Sequence, residues 1–388
     1  MSAAPRVCVV CAGREWLRLP DPGPRSMASD LRVLDVPLGK AACLKCGLIA
    51  RTAPLDGSIF ARGYALYAHA PGNGLEAARY RQYAGWIASQ LAAAPCSVLD
   101  VGCGNGSLLL ELGKVWPGAT LTGCDPSREA VGYGRAAGLE LWAGTLDDGP
   151  DAIADLVVSV NVLEHTDDPV AFLSALRRRV APGGVAAIVC PDAARPGVEL
   201  LIADHLVSLG PAHLRALLAT SGWLVETIAA APAALGEFQL AVGRPAAAAV
   251  DAGVPPPGDR RLARRYLEQW SALDGRLLQR VGAREVVCFG AGEAAGLLRT
   301  YAPRTWSRVS ACTADVALAT AMFGDRPVVP LDQVDPAAVL LLGVRPADQR
   351  PLARRLSLRH PHVLAWYDLV RYAAPDENLS SLSDRITD

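Results

Sequence analysis

An apolar run that carries an acid and breaks into alternating glycines, SVLDVGCGNGS at residues 97–107, constrains this chain more than any other stretch. Apolar residues on both faces suit a buried strand. Gly102, Gly104 and Gly106 permit a tight turn and close backbone approach, so that the free amides of the following helix can face an anionic group. Short apolar runs then alternate with helical segments: ATLTGCD, LELWAG, IADLVVSV and GVAAIVC read as strands, with helices near 106–115, 127–137 and 169–180 between them. This βαβ rhythm predicts an α/β fold with a parallel, doubly wound sheet. Asp168 and Pro169 supply a cap and a first-turn proline for the last of those helices. WLVETIAA and EFQLAVG follow as two strands close enough to pair antiparallel at one edge, and a helix over 75–94, ending at Pro95, leads into the whole unit.

A second strand–glycine–helix signal, VVCFGAGEAAG, occupies 286–296. The stretch 243–260, rich in Pro, Gly and Ala, reads as a linker before it. A helix at about 259–281, the runs EVVCFG, RVSACT, AVLLLG and HVLAWYD, and helical segments between them predict a smaller, Rossmann-like α/β unit. The expected division is therefore 1–55, 56–250 and 251–388. RVSACT ends without an acid, and Asp315 comes about three residues late for a ribose contact. The second turn is accordingly expected to close a helix onto a strand in a substrate-side or scaffolding domain; a nicotinamide oxidoreductase using it is the alternative.

Ten cysteines include two C-x2-C pairs, Cys8/Cys11 and Cys43/Cys46, the latter followed by Gly47. Two such knuckles bring four thiolates to a tetrahedral centre, which suits a structural zinc ion. The N-terminus MSAAPRVCVVCAG lacks the apolar core of a secretory signal, and no run of about 18 apolar residues occurs, so a cytoplasmic location is expected. A formal charge of −1 without runs of like charge predicts no nucleic-acid partner and no membrane surface. Oligomeric state is left open.

Asp125 closes the second strand about 20 residues after the glycine turn, where a carboxylate can accept two hydroxyl hydrogen bonds from a ribose. Dinucleotide folds favour G-x-G-x-x-G after an uninterrupted apolar strand; here Asp100 precedes G-x-G-x-G, and an acid suits a cofactor carrying an ammonium and a sulfonium. With GTLDD at 144–148 and NVLEHTDDPVAFLSALRRRVAPGGVAAIVCPD at 161–192, the region resembles the core of class I S-adenosylmethionine-dependent methyltransferases. The resemblance implies that Asp100 and the Gly102/Gly104 turn meet the methionyl part of S-adenosylmethionine, Asp125 the ribose hydroxyls, Asp147 the adenine amino group, and Asn161 the far side.

The order of four-cysteine module, methyltransferase core and C-terminal α/β unit resembles the sugar C-methyltransferases that act on nucleotide-linked keto-deoxysugars. That resemblance makes Tyr64 and Tyr67 substrate contacts and points to His205 with Asp204 as a catalytic pair. The family has a glutamate before the histidine and a serine and tyrosines after it; here stand Asp204 and then Leu206, Val207 and Leu209. Methyl transfer needs an aligned nucleophile stripped of its proton, and histidine serves as the base near neutral pH. His165, past the fourth strand between Glu164 and Thr166 in a stretch that reads as a solvated loop, is the second candidate. The expected activity is methylation of a nucleotide-activated deoxysugar or related intermediate at carbon or oxygen. An O- or N-methyltransferase for another natural product or glycan is the alternative, and a binding protein without turnover stands as a further class.

Overall fold

The computed structural model describes residues 7–52, 55–56, 59, 69–72, 74–151, 153–248, 250, 253–257, 260–315 and 321–370. The chain divides into two compact units, residues 1–20 with 24–260, and 21–23 with 261–388.

In the first unit, strands β1 (Trp16–Arg18), β2 (Ser26–Met27), β3 (Val33–Leu34), β4 (Lys40–Cys43) and β5 (Ile49–Arg51) precede helix α1 (Gly74–Ser89). Then come β6 (Ser97–Val101), α2 (Ser107–Val115), β7 (Thr120–Asp125), α3 (Arg128–Ala136), β8 (Glu140–Ala143) and β9 (Ala154–Val160). After a single 3₁₀ turn, Leu163–His165, follow α4 (Pro169–Arg178), β10 (Val180–Pro191), β11 (Val207–Ser208), α5 (Pro211–Thr220), β12 (Trp223–Ala230) and β13 (Phe238–Pro245). Seven of these strands form one sheet in the order β12-β13-β10-β9-β6-β7-β8. Neighbours from β10 to β8 are parallel, whereas β13 runs antiparallel to both β10 and β12. The expected parallel body with an antiparallel edge is what forms. Asp168 caps α4 by accepting from the Ala171 amide at 2.9 Å, with Pro169 in the first turn.

The N-terminal strands are knit into this unit. β5 would be an edge strand with unsatisfied backbone groups. Its partner is β11, from beyond the main sheet's fifth strand, which completes the order β1-β4-β5-β11. The Arg51 amide adds a bond to the Leu206 carbonyl at 2.9 Å. Thus the cysteine-bearing segment, expected as a module of its own over 1–55, shares a sheet with residues 207–208.

The second unit opens with α6 (Arg260–Val281), which buries Tyr266, Trp270, Leu273, Leu277 and Val281 along one face. It continues through β14 (Val286–Phe289), α7 (Glu293–Tyr301), a short helix at Pro303–Trp306, β15 (Val309–Ala314), β16 (Met322–Phe323), β17 (Arg326–Pro330), β18 (Val339–Leu342), α8 (Pro346–Leu356) and β19 (Val363–Leu364). The sheet order is β16-β17-β15-β14-β18-β19, parallel except for β16. Gly290 sits at φ +118°, and a Cβ there would lie 2.3 Å from the Gly343 carbonyl oxygen. Close strand-end packing therefore requires this glycine. Gly292 faces open space. Gly290→Ala should lower stability by at least about 2 kcal/mol in chemical denaturation, while Gly292→Ala stays within about 1 kcal/mol; equal effects would refute the packing role.

Candidate functional site

β6 pairs with β7 on one side and β9 on the other, so chain connectivity reverses at this point of the sheet. Ligand crevices of open α/β sheets form at the carboxyl ends of such strands. Asp100, Asp125 and Asn161 all stand at that edge. Asp100 is buried, and its Oδ1 has no hydrogen-bond partner among the described residues. Burial, reinforced by the neighbouring Asp125 carboxylate, pushes the Asp100 carboxyl up to about 8. Asp125 accepts from the Gly104 amide at 2.9 Å and the Ser127 amide at 2.8 Å; burial nevertheless holds its carboxyl above the usual range. Each oxygen keeps a lone pair for another donor.

Gly102 adopts φ +80°, and a Cβ on it would fall 2.3 Å from Val162 Cγ2. The turn after β6 therefore lies directly against the turn after β9. Asn161, in that second turn, has φ +57°, uncommon for a residue with a side chain, and its Oδ1 is buried without a partner among the described residues. Its amide donates to the Val189 carbonyl at 2.9 Å, which ties the strained residue to β10. Asn105 closes the glycine turn from outside, donating to the His69 carbonyl at 3.1 Å. Asp147 is exposed and makes no hydrogen bond or ion pair with Asp100, Asp125 or Asn161. Asp148 holds that turn, accepting from the Thr145 amide at 2.7 Å and its hydroxyl at 2.8 Å. Tyr64 and Tyr67 lie outside the described residues.

The turn after β9 continues into a second group. The Glu164 carbonyl accepts from the Leu206 amide at 2.7 Å, bringing residues 204–206 alongside Leu163–His165. His165 and His205 meet edge to face with ring centroids 4.9 Å apart. His165 Nδ1 donates to the Asp204 carbonyl at 2.8 Å and lies 3.6 Å from the Asp204 carboxylate. His205 Nδ1 lies 3.7 Å from Glu199 instead. Beside the expected Asp204–His205 pair, whose charges still attract, Asp204 lies against His165 and Glu199 against His205.

Glu164 is corrected, from a solvated loop to a buried side chain whose carboxyl is pushed up to about 7, mainly by burial. Burial works to raise Glu199 and Asp204, but opposing charges win: Lys40 and His205 hold Glu199 below the usual carboxylate range, and the two histidines and Ser29 do the same for Asp204. Lys40 itself is buried on β4, 3.9 Å from Glu199 and 3.3 Å from the Ser208 hydroxyl. Ser29 donates to Asp204 through its amide at 2.8 Å and its hydroxyl at 2.6 Å. Sequence reasoning missed Ser29, Lys40, Glu164 and Glu199. Lys40 carried a signal, as one of only three lysines against 35 arginines.

The four cysteines Cys8, Cys11, Cys43 and Cys46 are buried with all four Sγ atoms within 4.8 Å of one another. Cys8 and Cys46 sulfurs are 3.6 Å apart, and those of Cys11 and Cys43 3.5 Å. A disulfide needs about 2.0 Å, whereas a zinc tetrahedron with Zn–S near 2.3 Å has edges of roughly 3.8 Å. His213 Nε2 donates to the Cys46 carbonyl at 2.9 Å, anchoring this cluster to α5.

Residues 75–277, a little over half of the chain, match the family model described as a methyltransferase domain. The chain belongs to the methyltransferase-domain family. The matched region is an S-adenosylmethionine-dependent methyltransferase domain of class I. Among curated relatives, the ubiquinone biosynthesis O-methyltransferase of Rhizobium leguminosarum bv. trifolii (strain WSM2304) is 35% identical over 96 residues, 23% of this chain and 37% of the relative. That of Thiobacillus denitrificans (strain ATCC 25259 / T1) is 34% identical over 111 residues, 26% and 46% of the two chains. The chain thus spans less than half the length of these relatives. Similar solved structures include mitomycin 7-O-methyltransferase MmcR, with 22% identity, 49% and 57% coverage and a TM-score of 0.40. The CcbJ methyltransferase from Streptomyces caelestis shows 16% identity, 47% and 92% coverage and a TM-score of 0.35. No helix among the described residues is long and apolar enough to cross a membrane.

Asp100 generates a stability prediction. Its folded-state affinity for a proton exceeds that of the unfolded chain, so stability falls as pH rises from about 4 towards 8. Asp100→Asn removes the titrating charge. The ligand-free variant should melt higher than the parent at pH 8, by about 5 °C, with a flatter pH dependence; identical melting curves across that range would refute the buried charge.

Proposed function

We propose that this methyltransferase moves the methyl group of S-adenosylmethionine to a carbon or oxygen of a nucleotide-activated deoxysugar or related biosynthetic intermediate. One observation carries the reading. The turn after β9 presses Val162 against Gly102 of the glycine turn and, within three residues, holds Glu164 and His165 against His205. A cofactor-type turn and a proton-handling cluster are thereby built on a single short segment.

The residues fit the cofactor. Its donors are an ammonium, a ribose diol and an adenine amino group, and the edge offers buried acceptors that lack donors, Asp100 Oδ1 and Asn161 Oδ1. In this reading Asp100 and the Gly102/Gly104 turn hold the methionyl end, Asp125 the ribose, and Asn161 with the Asp147 turn the adenine side. When bound, the cofactor supplies an electrophilic methyl group on a sulfonium. His165 takes the acceptor's proton: with Nδ1–H committed to the Asp204 carbonyl, Nε2 carries the lone pair. Asp204, itself fixed by Ser29, steadies the imidazolium that results. His205, with Glu199 and Lys40 behind it, stands ready to bind or polarise the acceptor oxygen.

O-methylation of another natural product or glycan is the second reading, favoured by the O-methyltransferase names of the curated relatives. One experiment addresses both. Incubating the protein with ¹³C-methyl-labelled cofactor and nucleotide-activated keto-deoxysugars should yield one labelled product, whose carbon shift distinguishes C-methyl from O-methyl. Label appearing in none of these acceptors, with the cofactor bound, would refute the sugar reading.

The four-cysteine cluster is inferred to hold one structural zinc ion that staples β4 to the turns around it. Metal analysis should find one zinc per chain, and Cys43→Ser should lose it with a large drop in stability. Four freely titratable thiols in the native protein would contradict this.

A further inference from the structure

The geometry points to a second metal site, in which Glu164, His165 and His205 hold a divalent transition-metal cation of the manganese, iron or zinc class. One ligand atom from each of the three lies within 4.8 Å of the other two. None of them belongs to the cysteine cluster. The arrangement is that of two imidazoles and one carboxylate, a set that suits such cations and leaves further coordination positions open.

Unpartnered buried atoms supply the second, independent sign. Glu164 is 2% exposed, and its Oε2 has no hydrogen-bond partner among the described residues; nor has His205 Nδ1. An acid this deeply buried is charged only beside a donor or a cation. Lys40, the buried cation nearby, is engaged with Glu199 and Ser208. Neither acid beyond the cluster closes a hydrogen bond to a ring: Asp204 lies 3.6 Å from His165 and Glu199 3.7 Å from His205. Asp204 sits where the outer partner of a metal-bound imidazole sits, on the Nδ1 side of His165. His165 also donates Nδ1–H to a backbone carbonyl, the usual way a ligating histidine is oriented with its other nitrogen free.

A cation here would draw in an oxygen of the acceptor and raise the acidity of the hydroxyl or of the adjacent C–H. That role in turnover rests on the methyltransferase reading above and, with His165 Nε2 committed to the cation, replaces direct proton removal by that nitrogen; binding of the cation does not rest on it. Manganese(II) is the probe, because its hard character disfavours the cysteine cluster and its free-ion paramagnetic resonance signal disappears on binding. Full-length protein carrying one zinc per chain should take up one Mn²⁺ per chain beyond the cysteine site. Glu164→Gln and His165→Ala should each weaken uptake by about tenfold or more, with His205→Gln as the near-isosteric variant if either fails to fold. A full free-ion signal in the presence of excess protein, or variants that bind as the parent does, would overturn the site. Mn²⁺ binding without methyl transfer would uphold the site and count against the proposed function instead.

Discussion

The contact between Gly102 and Val162 is the constraint on which the rest of the first unit depends. A side chain at Gly102 would collide with Val162 at 2.3 Å, and the φ of +80° is itself one that L-residues rarely adopt. Because the two turns lie against each other, the ends of β6 and β9 form one surface. Asn161 is held in a strained conformation on that surface, and Glu164 and His165 follow from it within a single 3₁₀ turn. Strain of this kind persists only where surrounding structure over-determines it. Here the Asn161 amide bond to Val189 and the Glu164 carbonyl bond to Leu206 do so from both sides.

The N-terminal segment reaches into the same region. Lys40 and Ser29 contribute a buried ammonium and two donors to acids that flank the histidines, and β5 pairs with β11 two residues after His205. His213 then ties the Cys46 knuckle to α5. A segment that looks from its cysteines like a detachable staple is therefore a wall of the histidine cluster. Loss of the cysteine-held fold would reach Asp204 and Glu199 through Ser29 and Lys40, well away from the sulfurs.

Much of the fold was legible. Alternation of apolar runs with helical segments placed every strand of the main sheet, the central ones because burial on both faces leaves little choice of residue. Asp168-Pro169 marked a helix start by local chemistry alone. The candidate site was legible at Asp100, Gly102, Gly104, Asp125 and Asn161, which the fold gathers at one strand edge, and at His165 and His205, which it brings together. Elsewhere it depended on tertiary partners that no local pattern announces. Glu164 stands beside polar residues and reads as solvated, yet a backbone bond to Leu206 draws its turn inward. Asp204 and His205 read as a pair from the family resemblance and their adjacency, whereas the fold also sets His165 beside Asp204 and Glu199 beside His205. Glu199 and Lys40, far apart in sequence, meet only once β4 and the 3₁₀ turn at Val198–Leu201 are in place.

Two glycine turns with similar spelling have different physical roles. At Gly290 the absent Cβ makes room for the Gly343 carbonyl of a neighbouring strand end, and Asp315 is paired with Arg355. At Gly102 it makes room for the turn that carries Asn161, beside two buried acids. We accordingly propose a single nucleoside-type cofactor, held on the first turn. Calorimetric titration with S-adenosylhomocysteine tests this most directly. One site per chain, weakened by about tenfold or more in Asp125→Ala, is the predicted result; unchanged affinity in that variant, or a second equivalent site, would contradict it.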